Sequence, residues 1–126
     1  MEALSKKLLI VDDFVDLLEI YKEFFEMSGF SVKTAVSGEE ALEIFNDFSP
    51  DVIITDISMP EMSGVDLAKK VLESNPDQKI IFMTGLDPDA ESMRFIESNN
   101  YPFFSKTSRL KEVILKKIFT VLGEKR

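Results

Sequence analysis

The sequence predicts an α/β fold in which five strands and five helices, (βα)5, form a three-layer sandwich around one parallel sheet. Two observations support this fold class. Short apolar runs alternate with segments whose apolar residues recur at helical spacing, which is typical of repeated strand–helix units. Four of these runs are also followed directly by a carboxylate, hydroxyl or ammonium side chain: residues 8–11, 52–55, 80–83 and 101–105 precede Asp12, Asp56, Thr84 and Lys106.

The first strand, at 8–11, leads into a helix that ends at Gly29, and a short second strand follows at 31–35. The residues that repeat at helical spacing in this first helix are Phe14, Leu17, Leu18, Tyr21, Phe24 and Phe25. Ser37 and Glu40 then form a capping box at the start of the second helix. Its inner face consists of Ala41, Leu42, Phe45 and Phe48.

Pro50 ends the second helix, and the third strand follows at 52–55. A loop at 58–64 connects this strand to a third helix, which stops before Pro76. The inward-facing residues of the third helix are Leu67, Ala68, Val71 and Leu72.

Asp87 and Pro88 predict the N-cap and first turn of a fourth helix, which the apolar residues Ala90, Met93 and Ile96 define only weakly. A fifth helix is expected from about 108 to 122. Its inward-facing residues would be Leu110, Val113, Ile114, Ile118, Val121 and Leu122.

The chain of 126 residues is long enough for one domain, and we expect residues 1–126 to form it. The composition, 44% hydrophobic and 30% charged, is that of a soluble globular protein. No apolar run approaches the ~20 residues that a membrane-spanning helix requires. We therefore expect a cytoplasmic protein with no membrane partner.

The absence of certain residue types excludes several functions. The chain has no Cys and no His, which rules out thiolate nucleophiles, imidazole bases and metal sites built from these ligands. The chain therefore carries no phosphohistidine of its own, and any phosphate that it receives comes from another molecule. Its net charge of −8 opposes binding to a polyanion, so we expect no direct contact with nucleic acid.

The short connections require right-handed crossovers, and the flavodoxin-like strand order 2-1-3-4-5 satisfies this requirement. That order places the first and third strands side by side. Asp12, Asp13 and Asp56 would then meet at the carboxyl edge of the sheet. Thr84 and Lys106 would lie on the adjacent strand ends.

Three clustered carboxylates repel one another by about 4 kcal/mol per ionised pair at ~4 Å and an effective dielectric constant of ~20. Such a cluster either holds protons or binds a cation, and oxygen ligands alone favour Mg2+. A carboxylate nucleophile beside Mg2+ can form an aspartyl phosphate, while an ammonium and a hydroxyl can stabilise the phosphoryl oxygens. Taken singly, each residue has a simpler interpretation as a helix cap, loop acid, turn residue or surface lysine. The combination favours a phosphoryl-transfer site.

These residues resemble the response-regulator receiver domain of two-component signalling over nearly the whole chain. The matching motifs are VDD at 11–13, DISMPEMSG at 56–64, Thr84-Gly85 and Lys106. The resemblance implies that Asp56 is the phospho-acceptor. It also implies that the protein ligands of Mg2+ are Asp13, Asp56 and the backbone carbonyl of Ser58, with Asp12 contributing through water.

Thr84 and Lys106 would, by the same resemblance, contact the phosphoryl oxygens, and Thr84 would move toward them. Gly85 would leave the phosphate an open approach. The position of the family's aromatic switch is occupied here by Phe103, which lacks the hydroxyl of the usual Tyr. Thr84 and Phe103 are therefore the predicted switch residues.

Two further positions depart from the family pattern. Thr107 replaces the proline that usually follows the lysine in a cis peptide. Because a cis bond without proline costs about 3 kcal/mol, we expect either a trans bond or a strained exception. Asn99 and Asn100 replace the usual Gly-Ala, and both tolerate a left-handed turn.

The resemblance implies a regulatory domain that accepts a phosphoryl group from a sensor histidine kinase or a histidine phosphotransfer protein. Its only catalysis would be its own phosphorylation and dephosphorylation. The signal would reach a downstream protein or output domain through the face formed by the fourth helix, fifth strand and fifth helix. Leu115 and Phe119, with Phe95 nearby, are candidate residues of that face, unless the fifth helix buries more of its circumference than expected.

Other interpretations remain open. One is a Mg2+-dependent phosphatase that works through an aspartyl phosphate, although such hydrolases of the haloacid-dehalogenase type typically carry Asp-x-Asp where this chain has Asp12-Asp13. Another is an unphosphorylated docking adaptor. The sequence also leaves open whether the protein forms a homodimer. The chain is either a complete regulator or a receiver cut from a longer protein.

Overall fold

The computed structural model describes residues 6–85, 88–107 and 109–123. Strands and helices alternate along these residues. The strands are β1 (Lys7–Val11), β2 (Ser31–Ala35), β3 (Val52–Asp56), β4 (Lys79–Thr84) and β5 (Phe103–Ser105). The helices are α1 (Val15–Met27), α2 (Gly38–Phe48), α3 (Gly64–Ser74), α4 (Ala90–Ser98) and α5 (Leu110–Val121).

The strands form one parallel sheet in the order β2-β1-β3-β4-β5, which confirms the predicted flavodoxin-like topology. Val11, the last residue of β1, is in register with Ala35 of β2 and with Thr55 of β3. The carboxyl ends of these three strands therefore meet at one edge of the sheet. This edge carries the candidate site.

Helices cover both faces of the sheet, so the predicted three layers are confirmed. In β1, Leu8 and Ile10 pack on the side covered by α1 and α5, whereas Leu9 and Val11 pack on the side covered by α2, α3 and α4. This division follows from the alternation of side chains along a strand. Because both of their faces are buried, β1, β3 and β4 are nearly continuous apolar runs, which is the pattern that the sequence shows.

The capping box predicted at α2 is only half formed. The hydroxyl of Ser37 accepts a hydrogen bond from the backbone N–H of Glu40 (3.1 Å), as predicted. The carboxylate of Glu40, however, accepts its bond from the backbone N–H of Val36 (2.7 Å) and not from that of Ser37. Two backbone donors are still satisfied, that of Val36 before the helix and that of Glu40 in its first turn.

The amino end of α4 lies later than predicted. The helix begins at Ala90, and the Asp89 carboxylate caps it by accepting bonds from the Ser92 backbone N–H (2.8 Å) and hydroxyl (2.9 Å). The predicted cap, Asp87, lies outside the described residues. Both aspartates flank Pro88, and Ser92, three residues after Asp89, supplies the partner that selects Asp89.

The orientation of α5 also differs from the prediction. The helix begins at Leu110, and Val113, predicted to face inward, is 40% exposed. Phe119, a candidate surface residue unless the helix buried more of its circumference, is only 4% exposed, so the second alternative is the one observed. Phe119 packs against Phe30, with their ring centroids 5.7 Å apart. Because α5 covers the residues that follow α1 as well as the sheet, its buried arc is wider and turned toward α1.

Two smaller differences concern exposure. Phe14, predicted as part of the first helical stripe, precedes α1 and is 59% exposed. Ala90, the first residue of the predicted α4 stripe, is exposed, while Ile96 is buried. Within the described ranges, no helix combines the length and apolarity needed to cross a membrane.

Candidate functional site

The register of the two central strands places Asp12 beside Asp56. Val11 pairs with Thr55, and each of these residues is followed directly by an aspartate. The backbone N–H of Asp12 also donates to the carbonyl of Ala35 in β2 (3.1 Å), which fixes the direction in which β1 ends. Two aspartates thus leave neighbouring strands at the same level of the sheet.

Asp13 joins these two residues to form a cluster of three carboxylates. One oxygen from each of Asp12, Asp13 and Asp56 lies within 4.8 Å of the others. Asp12 is fully buried and Asp56 is 5% exposed, whereas Asp13 is open to solvent. A set of hard oxygen donors with one open side fits a partly hydrated divalent cation such as Mg2+.

Lys106 contacts both buried acids. Its Nζ atom lies 2.6 Å from Oδ2 of Asp12 and 3.1 Å from Oδ2 of Asp56. The backbone N–H of Lys106 donates to the carbonyl of Thr84 (2.7 Å), which holds the end of β5 against the end of β4. The strand order therefore brings the ammonium group to carboxylates that are far away in the sequence.

The second oxygen of each buried carboxylate accepts a bond from a backbone N–H. Phe14 donates to Oδ1 of Asp12 (3.0 Å), and Ser58 donates to Oδ1 of Asp56 (3.3 Å). Each carboxylate is thus held through both of its oxygens. This restraint leaves the side chain of Asp56 little rotation.

The pKa values follow from burial and from these contacts. Burial raises the pKa of Asp56 above its ordinary value; the charge of Lys106 opposes the rise, and the charge of Asp12 adds to it. Burial works to lower the pKa of Lys106, but the hydrogen bond and charge of Asp12, with the charge of Asp56, outweigh it and raise this pKa. The lysine therefore stays protonated at neutral pH.

Gly64, the first residue of α3, lies against the main chain of Asp56. A Cβ atom at this position would stand 2.1 Å from the carbonyl oxygen of Asp56, a distance that no side chain could tolerate. The backbone N–H of Gly64 also donates to the carbonyl of Ile57 (2.9 Å). From the sequence, Gly64 was recognisable only as part of the loop motif at 56–64; this contact could not be predicted, because its only local signal is a glycine at the start of a helix.

The predicted switch residues occupy the two strands beside the acid cluster. Thr84 ends β4 and is 3% exposed, while Phe103 begins β5 and is partly buried against the side covered by α2, α3 and α4. Phe95, named above as lying near the candidate binding face, stacks on Tyr101 with ring centroids 5.9 Å apart. The rings of α4 and of the segment before β5 are therefore in direct contact.

The positions that depart from the family pattern adopt backbone conformations that their residue types tolerate. The peptide bond between Lys106 and Thr107 is trans. Asn100 has a φ angle of 58°, which is the left-handed turn that its residue type tolerates. Asn99 has a negative φ of −105° and caps the end of α4.

Comparison with known proteins identifies relatives of this arrangement. Residues 8–118 match the family of response regulator receiver domains. The chain is 30% identical over 112 residues to the chemotaxis protein CheY of Thermotoga maritima, a match that covers 88% of this chain and 93% of that protein.

A second relative is the response regulator SaeR of Staphylococcus epidermidis, which is 32% identical over 109 residues. The match covers 86% of this chain but 47% of SaeR, so the chain spans about half the length of that relative. Among solved structures, the response regulator TrrA of Thermotoga maritima in complex with Mg2+-BeF superposes with a TM-score of 0.78 at 29% identity. That match covers 93% of this chain and 99% of the other.

Proposed function

This chain belongs to the family of response regulator receiver domains, and we propose that it accepts a phosphoryl group on Asp56. The donor is the phosphohistidine of a sensor histidine kinase or a histidine phosphotransfer protein. A carboxylate oxygen of Asp56 forms a bond to phosphorus while the bond between phosphorus and the donor's nitrogen breaks. The electron pair of that bond stays on the donor's imidazole, and Asp56 becomes an acyl phosphate.

The observation that carries this proposal is the contact of one ammonium group with two buried acids. Lys106 lies within 3.1 Å of both Asp12 and Asp56, and Asp13 stands beside them on the open side. When a phosphoryl group is attached to Asp56, Lys106 is close enough to pair with one of its oxygens. Thr84, at the end of the adjacent strand, would donate to another.

Asp13, Asp56 and the backbone carbonyl of Ser58 would hold Mg2+, with Asp12 contributing through water. Bound there, the ion would neutralise charge on the phosphoryl oxygens during transfer. The complex of TrrA with Mg2+-BeF supports this part of the proposal, because it shows a relative of the same fold with both species bound. The acid cluster of this chain offers the matching oxygen donors.

The proposed output is a protein contact on the face formed by α4, β5 and α5. Movement of Thr84 toward the phosphoryl group would alter the packing of Phe103 at the start of β5. Phe95 of α4 stacks on Tyr101, two residues before Phe103, so a change at β5 can reach α4. A downstream protein, an output domain or a second copy of the chain would bind this face.

This output is tested by adding beryllofluoride and Mg2+ and recording amide NMR spectra. Signals of α4, β5 and α5 should shift together with those of the site. Shifts confined to residues near Asp56, Asp13 and Lys106 would contradict the proposed face while leaving the phospho-acceptor site intact.

The phospho-acceptor role is tested by incubation with acetyl phosphate and Mg2+, followed by intact-mass measurement. We expect the gain of one phosphoryl group, and no gain in the Asp56→Asn variant, which keeps the size of the side chain. A protein of unchanged mass would favour the docking adaptor. Steady turnover of a phosphomonoester, lost in Asp56→Asn, would favour the phosphatase.

A further inference from the structure

Thr55 is the one hydroxyl residue in a strand whose other residues before Asp56 are apolar. Its side chain is fully buried and lies at the end of β3, next to the proposed acceptor. A buried hydroxyl without a partner is costly, and valine would fill nearly the same volume without that cost. The buried hydroxyl of Thr55 is therefore expected to make a specific hydrogen bond.

The partner of this hydroxyl is the main-chain carbonyl of Asp56. Oγ1 of Thr55 donates to that oxygen over 3.0 Å. The same oxygen is approached so closely by Gly64 that a Cβ atom there would stand 2.1 Å away. The next backbone N–H, of Ile57, donates to the carbonyl of Met83 in β4 (2.9 Å).

These contacts fix the peptide group between Asp56 and Ile57. Thr55 and Gly64 restrain its oxygen, and Met83 restrains its N–H group. Because the chain runs through this peptide group to Ser58, whose backbone N–H donates to Oδ1 of Asp56 (3.3 Å), a rotation of the group would displace a contact that holds the carboxylate. Displacement of a reacting group by about 1 Å can cost about a hundredfold in rate.

We propose that Thr55 is a positioning residue for phosphorylation. Its hydroxyl holds the carbonyl of Asp56 in place against Gly64, and so keeps the carboxylate aimed at the incoming phosphorus. The inference rests on the proposed phospho-acceptor function. It assigns to a buried residue outside the charged cluster a role in the rate of the reaction.

The test compares two substitutions that separate the hydroxyl from the volume of the side chain. Thr55→Val keeps the volume and removes the hydroxyl, whereas Thr55→Ser keeps the hydroxyl and removes a buried methyl group. Phosphorylation by acetyl phosphate, followed by intact mass over time, should be about tenfold slower in Thr55→Val, which is the effect of losing one hydrogen bond. Thr55→Ser should react at nearly the wild-type rate.

Thermal stability should not follow the order of the rates. Thr55→Ser leaves a cavity where the methyl group was, and Thr55→Val leaves the carbonyl of Asp56 without the hydroxyl, so both variants should melt below the wild type. Ile53→Val is the matched control: it removes one methylene group from a buried side chain on the same face of β3, and should lower the melting temperature without slowing phosphorylation. Thr55→Ala is a second variant without the hydroxyl and should be as slow as Thr55→Val.

A second measurement needs no phosphorylation. The carbonyl carbon of Asp56 in the metal-free protein should show a changed NMR shift in Thr55→Val and a near-native shift in Thr55→Ser. Equal phosphorylation rates in wild type and Thr55→Val, or rates that follow melting temperature across all variants, would overturn the inference. A wild-type protein that gains no phosphoryl group would refute the proposed function instead, and the carbonyl shift would then still test the hydrogen bond.

Discussion

The ammonium group of Lys106 lies 2.6 Å from Oδ2 of Asp12, although 94 positions separate the two residues in the sequence. The same group reaches Asp56, so one lysine partly neutralises two buried carboxylates. It thereby supplies positive charge at the site where the family binds a metal ion.

Lys106→Met should destabilise the metal-free protein. The substitution keeps most of the apolar side chain but leaves Asp12 and Asp56 without their cationic partner. Removing one member of a fully buried pair costs about 3–5 kcal/mol; because the Lys106 side chain is 23% exposed, we expect about 1–3 kcal/mol. Urea unfolding in EDTA would measure this loss of folding stability. Lys116→Met, on the exposed side of α5, is the control. Equal losses in both variants would show that the contact with the acids contributes nothing.

Magnesium should stabilise the folded protein. A ligand that binds only the folded state adds about 2.7 kcal/mol at a concentration one hundred times its Kd. Melting temperature should therefore rise with millimolar Mg2+ and should rise less with the same concentration of Na+. A melting temperature that does not depend on Mg2+ would contradict a metal site in the acid cluster.

Asp13→Asn should have opposite effects on the melting temperature in the absence and in the presence of Mg2+. In the absence of metal it should raise the melting temperature, because it removes one of three mutually repelling charges while keeping the shape of the side chain. In the presence of Mg2+ it should abolish most of the stabilisation, since Asp13 is a proposed ligand. Asp16→Asn, an exposed acid in the first turn of α1, is the control for a general effect of net charge.

Tyr21 should make the protein sensitive to alkaline pH. Burial raises the pKa of Tyr21 from 10.0 to about 12, and the charges of Asp12 and Glu112 add to the rise. The unfolded chain then loses the phenolic proton at a lower pH than the folded chain does. The contribution of Tyr21 to the free energy of unfolding is therefore fully present below pH 10. It falls by up to about 2–3 kcal/mol as the pH rises toward 12.

Urea unfolding of wild type and Tyr21→Phe at pH 9, 10, 11 and 12 would measure this difference. The phenylalanine variant keeps the ring, which packs edge-on against Phe25 with centroids 6.2 Å apart, and has no phenolic proton to lose. Its free energy of unfolding should decline less over this range. Parallel declines in both proteins would show that Tyr21 titrates as it does in the unfolded chain.

Phe119 should contribute to the core and not to a binding surface. Because it is 4% exposed and packs against Phe30, Phe119→Ala should cost about 3–5 kcal/mol of folding stability. Val113 lies on the same helix and is 40% exposed, so Val113→Ala should cost less than about 0.5 kcal/mol of folding stability. Chemical denaturation of the two variants measures both values, and comparable losses would contradict the described orientation of α5.

Sequence patterns predicted the sheet and most helices because these depend on local features. The apolar runs of β1 and β3 are buried on both faces, and such runs are recognisable without knowledge of the partner strands. Helix ends and helix orientations were less predictable. Asp87 and Asp89 are both acceptable caps by residue type, and only the contact with Ser92 selects Asp89. The burial of Phe119 depends on Phe30, which lies far away in the sequence.

The same distinction applies to the site. The convergence of Asp12, Asp13 and Asp56 could be predicted, because strand order and strand ends imply it. The pairing of Lys106 with both acids in the metal-free protein could not, because it depends on side-chain distances. Nor could the bond from Thr55 to the carbonyl of Asp56, since a threonine in a strand has many available partners.

By itself, the sequence determined the order of the strands and the residue types that stand at their carboxyl ends. Hydrophobic periodicity and residue chemistry are written along the chain, and the short connections leave few topologies open. Only the tertiary structure decided which distant residues meet: Lys106 with Asp12, and Phe119 with Phe30. Such contacts join segments that are far apart in the sequence, and they are set by the packing of whole helices on the sheet and not by any local pattern.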